Sequence, residues 1–257
     1  MGNVLGFDVK PIGSTTFLWS DVSLGGLPAY LNDRTDGIEL VGDQLQPNLE
    51  KILLLKPDLI VGWEGVKVIY PLLSKIAPTV LGNWKGLQLS WREHMDFTAQ
   101  VLGKKEAAQE AWNHYYQRIQ ELKTALGNRY QNKEISIAYI GAYGITIYVK
   151  NSFDGSILDD VGLQRPKAQD VNVDGRIENL SEEELEKVDG DILFVMTGNI
   201  KKNQLLKKIQ KKPLWQKLRA VQQNHVYYVD ASTWLGGTLL AADAVIDDLF
   251  KYLVNTP

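Results

Sequence analysis

Leu55-Lys56-Pro57-Asp58-Leu59-Ile60-Val61-Gly62 decides the fold, flanked by the helix-like Pro47-Asn48-Leu49-Glu50-Lys51-Ile52 and by Ile76-Ala77-Pro78-Thr79-Val80. It is decisive because the last third of the chain repeats the script. Asn179-Leu180-Ser181-Glu182-Glu183-Glu184-Leu185 runs into Val188-Asp189-Gly190-Asp191-Ile192-Leu193-Phe194-Val195, then His225-Val226-Tyr227-Tyr228-Val229-Asp230. Each stretch reads as helix, strand, helix, strand. Short apolar runs bounded by turn signals are the pattern of buried strands in a parallel sheet. Two such α/β units make two lobes, and the crevice between lobes is where a ligand binds.

Outward from this echo, Ser14 to Leu45 is rich in Gly, Pro, Asp and Thr and reads as turns and short segments. Helical spacing starts at Ser90, with Glu93 three residues on, breaks at Gly103 and resumes from Lys104 to Leu126. The second piece carries Ala108, Ala111, Trp112, Tyr115, Ile119 and Leu122 on one face and spans about 30 Å, the length of a strut between lobes. Beyond Gly127 the pattern turns to strands at Ile135–Ile140 and Ile145–Val149. Helices follow at Ser156–Val161, Ser181–Lys187, Lys202–Lys211, Pro213–Gln222 and Leu239–Leu253. At the start, Asn3 to Phe7 reads as a helix end and Val9 to Gly13 as a short strand. An α/β unit opens with a strand feeding its first helix, so a first strand and an export signal are expected to precede this chain.

Composition removes several function classes. The chain has 257 residues, 44% hydrophobic and 23% charged, ordinary for a globular protein. Its net charge of -3 argues against a binder of nucleic acid, which needs a basic face. With no cysteine, disulfides, thiolate metal sites and cysteine nucleophiles are excluded. No apolar run reaches the length of a membrane span.

Catalytic templates are missing too. There is no nucleophile elbow, P-loop, His-Glu-x-x-His or dinucleotide glycine pattern. His94, His114 and His225 share no ligand spacing, so no metal site built by the protein is expected. Aromatics say more: Trp63 follows the Leu59–Gly62 strand, Trp84 the Val80 strand and Trp234 the Val229 strand, while Tyr143 sits in the turn Gly141-Ala142-Tyr143-Gly144. In α/β sheets ligands gather at the carboxyl ends of strands, and these positions predict an aromatic-lined cleft. Against that stands packing, the commoner fate of a tryptophan. Arg176, ahead of the second-unit helix, is a candidate for an anionic ligand, although an arginine taken at random is a solvated one. The lysines from Lys201 to Lys212 read as a solvated helical face. Glu50 and Glu183 hold equivalent places in the echo, too far apart for acid–base work but suited to docking a symmetric partner.

Together these motifs resemble the solute-binding proteins of ABC importers for ferric siderophores and cobalamin. The resemblance rests on Pro47–Gly62, Leu73-Ser74-Lys75-Ile76-Ala77-Pro78-Thr79-Val80, Ser152-Phe153-Asp154-Gly155-Ser156-Ile157-Leu158, Pro213-Leu214-Trp215, and Leu240-Ala241-Ala242 with Asp247-Asp248-Leu249, in family order. It implies an α/β fold of two Rossmann-like lobes with central sheets: residues 1–103 and 128–257, joined by one long helix over 104–127, with the ligand cleft between them. It implies a monomer, periplasmic or anchored outside the membrane, that uses no cofactor. The cargo would be an iron(III)-siderophore complex whose chelator holds the iron, contacted by Trp63, Trp84, Tyr143, Arg176 and Trp234. By resemblance, Glu50 and Glu183 dock arginines of the permease dimer, with Glu182 or Glu184 as alternatives for the second. Hydroxamate binders often place an arginine before the Pro-Asn-Leu-Glu segment, where this chain has Gln44-Leu45-Gln46. Trp234 matches an aromatic near the ligand in hydroxamate binders, so a hydroxamate or citrate-type siderophore is expected. A cobalamin or haem carrier is the alternative within the family. An α/β enzyme using Arg176 on an anionic small molecule is the alternative outside it.

Overall fold

The echo read from the sequence is built as two parallel βαβ units. A computed structural model describes residues 1–16, 27–82, 91–141, 144–198 and 200–255. Helix α1 (Gly2–Gly6), expected within the first lobe, packs instead on the second-lobe core, where Phe7 lies with Trp91 and Met95; it leads in the first lobe to β1 (Gly13–Thr16), which pairs in parallel with β2 (Glu39–Asp43). Helix α2 (Leu49–Leu55) starts where Asn48 accepts the amide of Lys51 at 2.9 Å, and stops at Lys56 in the left-handed region ahead of Pro57. Then come β3 (Ile60–Trp63), a 3-10 segment (Glu64–Ile69), α3 (Tyr70–Ile76) and β4 (Thr79–Gly82), with β3 and β4 parallel. Val41, Ile52, Val66 and Leu73 form this lobe's core. Among the described residues its sheets are two separate pairs, and β3, expected to be buried, is half-exposed, with Val61 at 37%.

Helix α4 (Trp91–Val101) and the strut α5 (Lys105–Leu126) break at Gly103, whose φ of +64° suits glycine. Ser90, read as the cap, lies outside the described residues. Strands β5 (Ile135–Gly141) and β6 (Gly144–Tyr148) form a hairpin, followed by α6 (Phe153–Val161), capped by Ser152. A strand not expected from the sequence, β7 (Arg176–Leu180), pairs with β6. After a 3-10 segment (Glu182–Val188), β8 (Ile192–Thr197), α7 (Gln204–Ile209), α8 (Pro213–Lys217), α9 (Arg219–Gln222) and β9 (Val226–Asp230) complete the second unit. Helices α10 (Ala231–Trp234) and α11 (Leu239–Leu249) close the lobe.

The second-lobe sheet has the order β7-β6-β5-β8-β9, with β5, β8 and β9 parallel. Alternate residues of β5 serve two cores: Ile135, Ile137 and Tyr139 face α5, α6 and α11, while Ala138 and Ile140 face the 3-10 segment, α7 and α8. Continuous burial of β5 and β8 explains why they are legible as apolar runs.

The strut is fastened on both sides. Asp160 of α6 accepts from Arg92 of α4 at 2.7 Å and from the Tyr115 hydroxyl of α5 at 2.5 Å. The Trp91 indole donates to Ser156 and that of Trp112 to Asp96, both at 3.0 Å. Further along, Arg118 pairs with Asp243 and Asp247 of α11. Trp91 and Trp215 are core residues.

Candidate ligand-binding cleft

Parallel strands end level with one another, so their carboxyl ends define one rim in each lobe. In the first lobe that rim is Trp63 beside Gly82, and in the second Thr197 beside Asp230 and next to Gly141. Trp63 is half-buried, with its ring folded over Gly65, where an added Cβ would meet Cζ2 at 2.3 Å. The exposed Lys67 follows one turn later. Trp84 and Tyr143 lie outside the described residues, although Gly141 and Gly144 at the base of the Tyr143 turn face each other across the hairpin.

Two expectations need correction. Trp234 is wholly buried: its ring lies 4.7 Å from Phe194 and its N–H donates to Asp248 at 2.8 Å. Asp230 caps α10 through the amide of Thr233, and that turn carries the indole into the core rather than onto the rim. Arg176 opens β7 opposite Tyr148, four residues along β6 from the Gly144 end, about 13 Å from the rim at the strand rise. Its Nε pairs with Glu178 at 2.6 Å. Lys150 is likewise at that far end, paired with Asp159 and Asp170.

Two rim features were not legible in the sequence. The phenol of Tyr139 folds over Gly141, leaving no room for a side chain there. Asn203 donates to the carbonyl of Ile140 at 2.6 Å and to Thr197 at 2.7 Å while capping α7, so it fastens the ends of β5 and β8 together. Beside the rim, a cavity of about 410 Å³ is lined by Tyr30, Tyr228, Asp230, Asp248, Lys251 and Tyr252. Burial pushes the Tyr30 phenol up to about 12, against its hydrogen bond to Thr238. Among the described residues no cluster of His, Cys, Asp or Glu is fit to hold a metal. None of their helices is long and apolar enough to cross a membrane.

Glu50 and Glu183 occupy matching places. Glu50 is exposed in the first turn of α2, just past the carboxyl end of β2. Glu183 is exposed in the first turn after β7, whose last residue Leu180 pairs with Ile145 at the rim end of β6. Neither forms an ion pair with a described residue, whereas the neighbours of Glu183 are engaged. Glu182 binds Lys208 at 2.5 Å and Lys212 at 2.6 Å. Glu184 binds Lys187 at 2.5 Å and closes a capping box with Ser181.

Comparison with known proteins bears on the family and the fold. The periplasmic binding protein model matches residues 26–233. YfiY of Bacillus subtilis, described as a probable siderophore-binding lipoprotein, is 30% identical over 98% of this chain and 79% of its own length. YfmC of the same organism, described as Fe(3+)-citrate-binding, is 34% identical over 76% of this chain and 60% of its own length. The crystal structure of Staphylococcus aureus SirA complexed with staphyloferrin B matches with a TM-score of 0.82 at 26% identity, covering 98% of this chain and 88% of that one. On the breadth of these matches, the chain belongs to the periplasmic binding protein family.

Proposed function

We propose that this protein captures a ferric siderophore between its lobes, outside the cytoplasmic membrane, and delivers it to an ABC importer. The observation that supports the reading is the family match, with relatives described as siderophore- and Fe(3+)-citrate-binding, on a chain whose parallel strands end in a rim at Trp63 in one lobe and at Thr197 and Asn203 in the other. The cargo in this reading is iron already wrapped in its chelator, and the similar SirA is seen in complex with staphyloferrin B. A citrate-type chelate ranks ahead of a hydroxamate one, because Trp234, which carried the hydroxamate reading, is buried, and because the relative YfmC is described as binding Fe(3+)-citrate. Titration of ferric citrate, a ferric hydroxamate and a ferric catecholate against intrinsic tryptophan fluorescence tests this. Saturable quenching by the first is expected, and no response to any of the three would refute the reading.

Glu50 and Glu183 are the docking handles for the two halves of a permease dimer, approached by a monomer of this chain. Of the three glutamates at the second handle, Glu183 is the one without a partner among the described residues, which favours it over Glu182 and Glu184. Replacing both handles by alanine is expected to leave cargo affinity and stability within about 0.5 kcal/mol of the parent and to abolish uptake. Weakened cargo binding would count against the docking role.

A further inference from the structure

Charge is distributed unevenly along this chain. From Ile192 to Val229 there are eight Lys and Arg and no Asp or Glu, although the whole chain has 28 of the former against 31 of the latter. The fold gathers seven of these cations, all lysines, onto α7, α8 and the turns around them. Leu206, Ile209 and Trp215 point into the core against Leu185 and Val188, so Lys207, Lys208, Lys211 and Lys217 are turned outward and exposed. Within the same field Ile200 and Leu214 are exposed at 39% and 38%.

We infer that this face rests on the anionic headgroups of a phospholipid bilayer. Three features favour that partner. The cations are lysines spread over a helical surface rather than arginines converging on a pocket, which suits a diffuse field of phosphates over one bidentate ligand. Exposed Ile200 and Leu214 lie among them, the combination by which a surface helix enters the interfacial layer. Finally, Lys208 and Lys212 both bind Glu182, next to the handle Glu183, and α7 begins at the rim through Asn203. A docked protein would therefore carry the lysine field toward the membrane around the permease. This last point rests on the docking reading, but lipid binding by itself does not.

The test is co-sedimentation of the full chain with bare vesicles, either phosphatidylcholine alone or phosphatidylcholine and phosphatidylglycerol in equal parts, at an ionic strength giving a Debye length of about 8 Å. Binding to the anionic vesicles, absent with the neutral ones and released by added salt, is expected. The K207Q/K211Q/K217Q variant is expected to lose about tenfold or more in partitioning, since each basic residue near the surface contributes measurably. Leu214→Ser is a milder second variant and should weaken binding several-fold. Equal partitioning to both vesicle types would overturn the inference, as would unchanged binding of the triple variant or a salt-dependent dimer without vesicles. The E50A/E183A variant separates the two claims: it is expected to bind bare vesicles like the parent while failing in uptake. Loss of bare-vesicle binding in that variant would overturn the lysine-field inference; retained uptake would overturn only the docking reading.

Discussion

Asp160→Ala should loosen the joint between the strut and the helices α4 and α6 packed on it, and its cost can be worked from three side chains. The substitution removes the acceptor of the Tyr115 hydroxyl, on a residue only 2% exposed, and the counterion of Arg92. A buried hydroxyl left unpaired costs about 2 kcal/mol. Arg92 keeps some solvent, with its side chain 31% exposed, and still lies 4.5 Å from the Trp91 ring, so its loss is about 1 kcal/mol. The sum, about 3 kcal/mol, corresponds in a chain of this size to a fall of about 6 to 12 °C in Tm. Tyr115→Phe keeps the Arg92–Asp160 pair and should cost about 1 kcal/mol. The double variant should be less destabilised than the two singles added together, because the orphaned hydroxyl has gone. Urea unfolding of all four proteins measures this. An Asp160→Ala variant within about 0.5 kcal/mol of the parent, or strict additivity of the two changes, would refute the shared-acceptor account.

Other parts of the second lobe make equally definite predictions. Burial pushes the Asp154 carboxyl up to about 6, against hydrogen bonds from Ser152 and Gly155 and the charge of Arg165, from an ordinary value of 3.8. With the folded value above the unfolded one, this group's stabilisation is complete below about pH 4 and is lost as pH rises through 6, by about 3 kcal/mol. The stability difference between the parent and Asp154→Asn, followed from pH 4 to 7, should fall across that window; a flat difference would count against it. Gln169, wholly buried, accepts from the Ile137 amide and Arg165 and donates to Ser136 and the Lys187 carbonyl. Gln169→Ala orphans several groups at once and should cost about 4 kcal/mol, read as a lowered denaturant midpoint. Gly155→Ala would put a Cβ 2.1 Å from the Val149 carbonyl, a backbone atom that cannot swing aside, whereas Gly162→Ala meets only open space at a φ of +84°. The first is expected to cost more than about 3 kcal/mol and the second about 1 kcal/mol, so similar melting curves for the two would contradict the contact.

What could be read from the sequence was whatever depends on local pattern. β5 and β8 are apolar because both their faces are covered, and the break at Gly103 is a backbone conformation that glycine accepts. β7 was hidden because Arg176-Ile177-Glu178-Asn179-Leu180 has no strand-like alternation and becomes a strand only by lying along β6. The short strand expected at Val9–Gly13 falls instead at Gly13–Thr16, where parallel pairing with β2 sets its place. The helix read through Pro213–Gln222 is split at Leu218, whose ψ of 136° is extended. At the rim, the strand-end rule located Trp63 but misplaced Trp234. The rule counts residues from a strand, and cannot see that Asp230 starts a helix at once and rotates the next large side chain inward.

The choice among Glu182, Glu183 and Glu184 shows why the rest needed the fold. In sequence the three are interchangeable acids in one turn. Lys187 and Ser181, close in the chain, engage Glu184, but Glu182 is engaged by Lys208 and Lys212, more than twenty residues away and brought beside it because α7 and α8 share a core with the 3-10 segment. The lysine field therefore acts inward as well as outward. By neutralising Glu182 it leaves Glu183 as the unneutralised carboxylate of that turn, two residues past the cap Ser181 as Glu50 is two past the cap Asn48. If that is its purpose, Lys208→Gln combined with Lys212→Gln should free Glu182 to serve as the handle, and uptake lost in Glu183→Ala should partly return in the triple variant. No recovery of uptake would mean that position along the turn, rather than the absence of a partner, selects the docking residue.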